Sequence, residues 1–304
     1  MPPEAYRFRR YIQRHRIFTG GSMKTWVGLA LIVVVIISVH PAAAVDVTTC
    51  GQTLPERSVG VLTGDLVCAP GERGVTLGAN STLDLNGYDI VAPDGWAVWC
   101  EPSRRCTLIG NGGEIRDANA GVYIQNRSRL LMSDVTVRDC EVGVLAEDWH
   151  NGKNGAKAHL TNVLVTGSSS SAIRVGRVQL QNVALVDNPG GGLTSSWIGK
   201  VKAKGLTVSG NATSANCQQF GCEGVEAGTF TGKDVVLTDN AGVGIRSKWV
   251  RLADSTVTGN IRAGSAVDIL SYQLPRLLRV ICDRAADAAN PGNDWGVCRY
   301  DDQP

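Results

Sequence analysis

The chain has 304 residues, a formal net charge of +2 and 43% hydrophobic side chains, few of them aromatic. That length forces no domain boundary, because repeat folds carry it on one continuous core. Beyond residue 44 the chain holds 24 basic and 27 acidic side chains, about −3; with no basic patch and no interleaved aromatics in the sequence, this argues against nucleic acid as a partner.

At the N-terminus, Arg7, Arg9, Arg10, Arg14, Arg16 and Lys24 precede an uncharged apolar run from Trp26 to Val39, then Pro41-Ala42-Ala43-Ala44. The run is shorter than the roughly twenty residues of a spanning helix. Ala42 and Ala44 supply the small-x-small pattern of a cleavage site. Residues 1–44 are therefore expected to be a basic extension plus signal peptide, cleaved after Ala44, with a secreted or periplasmic product. Two alternatives stay open: an uncleaved signal anchor, the only route by which the chain would touch a membrane, and translation from Met23.

All nine cysteines follow this segment, at 50, 68, 100, 106, 140, 217, 222, 282 and 298. Most are local pairs with turn residues between them, so the chain can fold back to disulfide geometry. The expected bridges are Cys50–Cys68, Cys100–Cys106, Cys217–Cys222 and Cys282–Cys298, with Cys140 left as a small buried residue. An exported chain without repeated CxxC spacing favours disulfides over metal binding.

From residue 107 onward the sequence repeats. Thr136-Val-Arg-Asp-Cys-Glu-Val-Gly-Val, Val235-Val-Leu-Thr-Asp-Asn-Ala-Gly-Val-Gly-Ile and five similar segments are each a short strand, a turn and a second strand. The residue after the turn's Asp or Gly falls at 118, 140, 168, 188, 211, 240 and 260. This spacing suits coils of three short strands, not a propeller blade or a leucine-rich repeat. Period-two alternation, as in Val178-Gln-Leu-Gln, turns apolar side chains inward, and coils stacked about 4.8 Å apart bury them as columns. Asn188, Asn211, Asn240 and Asn260 are expected to form a hydrogen-bonded amide ladder.

The segments Asp65-Leu66-Val67-Cys68, Gly74-Val75-Thr76-Leu77 and Leu83-Asp84-Leu85-Asn86-Gly87-Tyr88 resemble the opening of secreted right-handed parallel β-helix proteins, and the later repeats are similar to those of pectate-lyase-like proteins. The resemblance implies an all-β, single-stranded right-handed parallel β-helix over residues 45–304, with disulfide-bearing caps at 45–73 and 275–302. It implies no particular reaction, since lyases, hydrolases, epimerases, adhesins and tail spikes share the fold. The motif sets of polygalacturonases and mannuronan epimerases are absent from this chain.

Three places carry residues that suit chemistry. The longer interval after Cys140 holds Glu147, Asp148, Trp149 and His150, a candidate sugar-binding loop, and Trp249 is a second candidate for stacking on a sugar ring. Asp117, Arg138 and Asp139 stack on adjacent coils, as a uronate lyase's base and cation-holding carboxylates would, Ca²⁺ being the cofactor only on that reading; crossed surface ion pairs are the structural alternative. The residues after each Gly-hydrophobic pair predict a column ending Glu226, Arg246, Asp268, in which Glu226 and Asp268 would be widely spaced carboxylates of an inverting glycosidase. Otherwise no cofactor or metal site is expected. The function expected is binding or display of polysaccharide or cell-surface glycan without an active site, the alternatives being a polysaccharide lyase or glycoside hydrolase on a charged flank, or a structural or adhesive rod.

Overall fold

The computed structural model describes residues 44–102, 104–147, 155–213, 223–262, 265–289 and 294–298. Short strands separated by tight turns wind into a parallel β-solenoid of about nine turns, with no helix among the described residues. Each turn contributes one strand to each of three parallel sheets. The first sheet takes Val59–Leu62, Thr82–Asp84, Arg105–Ile109 and Arg129–Ser133; the second takes Leu66–Val67, Ile90–Val91, Glu114–Arg116 and Thr136–Arg138. The third takes Val75–Leu77, Trp96–Cys100, Ala120–Ile124 and Val142–Ala146. Further on, Lys157–Thr166, Arg177–Val186 and Lys200–Ser209 each bend from the first sheet into the second.

Pairing follows the sequence intervals. In the second sheet Arg116 lies on Arg138, then Thr166, Val186, Ser209, Thr238 and Thr258, steps of 22, 28, 20, 23, 29 and 20 residues. The solenoid nevertheless begins before the repeat becomes legible. Ala44–Val47 and Gln52–Leu54 already pair in register with the next turn. Strands of two to four residues there are too short to display an alternation.

Inward positions form continuous aliphatic columns. Ile115, Val137, Val165, Leu185, Val208, Leu237 and Val257 stack through the second sheet, and Val98, Val122, Val144, Ile173, Leu193, Val225 and Ile245 through the third, all fully buried. β-Branched and Leu side chains pack well on a pleated surface, and each column spreads its burial over every turn.

The turn between the second and third sheets repeats one backbone device. Asp117, Asp139, Asp187 and Asp239 have φ of 54° to 56°, and Gly167, Gly210 and Gly259 take the same place with φ of 65° to 69°. Asp, Asn and Gly enter this left-handed region at the least cost. The following residue then points inward, and from Asn188 a ladder forms: Asn188 Nδ2 donates to Asn211 Oδ1 at 2.8 Å, Asn211 Nδ2 to Asn240 Oδ1 at 2.9 Å, and Asn240 Nδ2 to Asn260 Oδ1 at 2.7 Å. Each Nδ2 also donates to a strand carbonyl of the preceding coil, that of Val165, Leu185, Val208 and Leu237 in order.

Asp268 closes this ladder. Its carboxylate accepts from Asn260 N and Nδ2 and from the amides of Asp283 and Arg284, and it is wholly buried. Burial pushes its pKa up, against the lowering effect of those donors.

Bridges Cys50–Cys68, Cys100–Cys106 and Cys282–Cys298 are formed. The last ties the final turn to Asp294–Cys298, which runs antiparallel to Arg276–Asp287 and covers part of the terminal sheet edge. Cys217 and Cys222 lie outside the described residues. Cys140 is free, 2% exposed, and stands in the inward column between Ala118 and Ser168. Burial pushes its thiol up to about 11, so at neutral pH almost none is thiolate. Iodoacetamide is therefore expected to leave Cys140 unmodified in the native protein and to label it after unfolding, as read by peptide mass; native labelling at the unfolded rate would contradict its place in the column.

Candidate functional site

The stacked charges of the second sheet are paired within the protein. Arg138 donates to Glu114 Oε2 at 2.6 Å and to Asp139 Oδ2 at 2.8 Å; Arg116 lies 2.9 Å from Asp117 Oδ2 and 3.5 Å from Asp89 Oδ2. Each arginine thus bridges its own turn's left-handed Asp to a carboxylate of the preceding turn. The Glu114 hydrogen bond, then that of Asp139, holds the Arg138 guanidinium well above its ordinary pKa. Asp117, Arg138 and Asp139 thus take part in crossed ion pairs between adjacent turns.

The predicted third column holds as far as Arg246. Tyr123, Leu145, Arg174, Thr194, Glu226 and Arg246 are successive register partners, but Arg246 then pairs with Leu270. Asp268 does not complete an acid, base, acid stack; it is buried beneath Asn260. After Asn260 the chain makes a small antiparallel hairpin, Ile261–Arg262 with Ser265–Ala266, that lengthens this turn and moves the frame by two residues. Asp268 thereby takes the place that Gly192, Gly224 and Gly244 hold in earlier turns, and the widely spaced glycosidase pair does not form.

Around Glu226 a small cluster does assemble. The Arg246 guanidinium lies 5.5 Å from the Trp197 ring centroid, and Trp197 meets Tyr272 edge to face at 5.4 Å. Arg246 is 3.4 Å from the buried Glu223 carboxylate. Burial opposes the charge on Arg246, but Tyr272, Glu223 and Glu226 together outweigh it and hold the guanidinium protonated. Near the N-terminal end, Arg73 lies over Trp99 at 3.7 Å, and Trp96 stacks on Tyr123 at 4.3 Å. Among the described residues no three His, Cys, Asp or Glu side chains converge as a metal site. Glu147 is an exposed turn residue, and Asp148, Trp149 and His150 lie outside the described residues.

The most extensive feature was not anticipated from the sequence. On the outward face of the first sheet, Arg105, Arg129, Lys157, Arg177 and Lys200 are successive register partners, followed by Thr229 and Trp249. Two residues along, the adjacent outward row carries His159, Gln179, Lys202, Thr231, Arg251 and Arg276. The expectation that the protein lacks a basic patch is thus corrected: winding brings together cations 20 to 28 residues apart in sequence. A signal was present, since RCTLI, RLLMS, KAHLT, RVQLQ and KVKAK all open on a cation followed by an inward residue.

This face is grooved. A cavity of about 350 Å³ is lined by Arg129, Lys157, His159, Arg177, Lys200 and Lys202, and a second of about 280 Å³ lies against Trp249, Arg251, Leu274 and Arg276. Trp249 is 47% exposed at the end of the cationic row. No family model, no curated protein and no solved structure matches this chain.

Proposed function

We propose that this is an exported β-solenoid, similar in its repeats to pectate-lyase-like proteins, that binds polysaccharide along the first sheet without catalysing its cleavage. One observation carries the reading: an exposed Trp249 shares a single outward row and a grooved face with side chains able to hydrogen-bond a polymer. An aromatic ring presents an apolar face to the C–H side of a sugar while neighbouring polar groups take its hydroxyls. The stacked register repeats such contacts turn after turn, which suits a ligand that is itself a linear repeat. Export accords with the basic segment, the apolar run and Ala42 and Ala44, and the three disulfides accord with an oxidising compartment.

Affinity electrophoresis through gels cast with acidic and neutral polysaccharides tests this. Retardation by at least one polymer is expected, weakened about threefold to tenfold in Trp249→Ala, as befits one aromatic contact. Free mobility in every gel would overturn the reading. Release of unsaturated or reducing ends from a retained polymer would replace it with the lyase or hydrolase alternative.

A further inference from the structure

Resting on that reading, we infer the ligand's class: a linear acidic polysaccharide with one carboxylate or sulfate on each sugar, running parallel to the solenoid axis from Arg105 towards Trp249. Strands in a sheet lie about 4.8 Å apart, and an extended pyranose chain advances by a similar distance per sugar. The Arg105, Arg129, Lys157, Arg177 and Lys200 row therefore offers one cation per sugar over five consecutive turns. From Arg105 to Trp249 the face spans six strand spacings, roughly 29 Å.

Ion pairing within the fold does not account for the row. Like charges directly opposite one another across strands are destabilising, and among the described residues none of these five cations has a carboxylate within ion-pair distance. No outward position of this sheet from Arg105 to Leu278 is acidic. The second sheet shows the contrast, since Arg116 and Arg138 each touch two carboxylates. Five uncompensated cations in register are instead complementary to an external row of anions. Their chemistry favours a polysaccharide over single-stranded nucleic acid, because the cationic stretch from Arg105 to Lys204 carries His159 but no outward Phe, Tyr or Trp to serve as a series of stacking platforms for bases.

The test uses the whole exported chain and four probes: polygalacturonate, heparin, dextran and a single-stranded oligonucleotide, each titrated by calorimetry across a salt series. Either polygalacturonate or heparin is expected to bind, the two arms separating carboxylate from sulfate, and dextran to bind at least tenfold more weakly. Arg129→Gln with Arg177→Gln should weaken acidic-polymer binding at least tenfold and lower the log–log salt slope by about two, one for each ionic contact removed. Thr166→Glu with Thr238→Glu on the second sheet changes the net charge equally and should leave affinity within about twofold, if the row rather than the overall charge is responsible. Dextran binding as tightly as the acidic polymers would overturn the inferred class and leave the polysaccharide reading standing. Binding to none of the three polymers would overturn both, and an oligonucleotide bound more tightly than either acidic polymer would replace the inference with nucleic-acid binding. Both double variants sit at outward positions, and circular dichroism confirms that each is folded before it is titrated.

Discussion

Replacing Asn211 with leucine is expected to destabilise the protein by about 4 kcal/mol or to prevent its accumulation as a folded chain, because several buried groups lose their partners together, at about 1–3 kcal/mol each. Asn211 Oδ1 accepts both the backbone N and the Nδ2 of Asn188, at 3.0 and 2.8 Å, while its own Nδ2 donates to Leu185 O, Ser209 O and Asn240 Oδ1. Leucine fills the volume and satisfies none of these. The proper comparison is Asn162, at the corner between the first and second sheets, which donates to Asp134 Oδ1 and accepts from Asn182 but is solvent-exposed. Water replaces those bonds, so Asn162→Gly, which also tolerates the local φ of 53°, should cost under about 1 kcal/mol. Urea unfolding of the two variants separates the cases, and equal losses would mean that burial of the ladder is not what makes it stabilising.

The second large effect is expected at Phe230, the largest of the fully buried side chains. It succeeds Ala158, Val178 and Val201 in one inward column of the first sheet. The neighbouring column narrows to make room, from Leu160 and Leu180 to Ala203 and Gly232. A Cβ on Gly232 would lie 3.0 Å from Phe230 Cε1 and 2.7 Å from Val235 Cγ2. Phe230→Ala opens a cavity where the chain has already been trimmed to accept the ring, and should cost about 3–5 kcal/mol. Since each turn touches only its neighbours, hydrogen exchange should accelerate most in residues 200–260 and little near residue 100. A uniform acceleration along the chain would show instead that the solenoid opens as one unit.

These two sites differ in how visible they are before folding. Asn211 belongs to a series whose members follow a left-handed Asp or Gly at a spacing close to one turn, so its inward ladder can be read from the chain in order. Phe230 is legible only as an apolar position; its compensation by Gly232 depends on two columns lying side by side. The same division runs through the candidate sites. Arg116 and Arg138 are stacked as their matching Arg-Asp pairs indicate, but whether such a stack is ion-paired or free depends on Glu114 and Asp89, which reach it from the preceding turn. Glu226 and Arg246 keep the expected register, while Asp268 leaves it because the seven residues between Asn260 and Asp268 include a hairpin whose effect on the frame no alternation records.

What the sequence determines by itself is whatever depends on neighbours within one turn: alternation inward and outward, the left-handed corner, the near-twenty-residue period, the local disulfides and the buried Asn series. Tertiary structure alone decides what lies across from what. Lateral pairing in a parallel solenoid joins residues a whole turn apart, and turns here vary from 20 to 29 residues with the loops they carry. A chain of net charge only +2 with its cations scattered in sequence can therefore present a continuous basic row on one sheet, and the physical reason is the strand spacing: winding converts some twenty residues of contour into about 4.8 Å of separation.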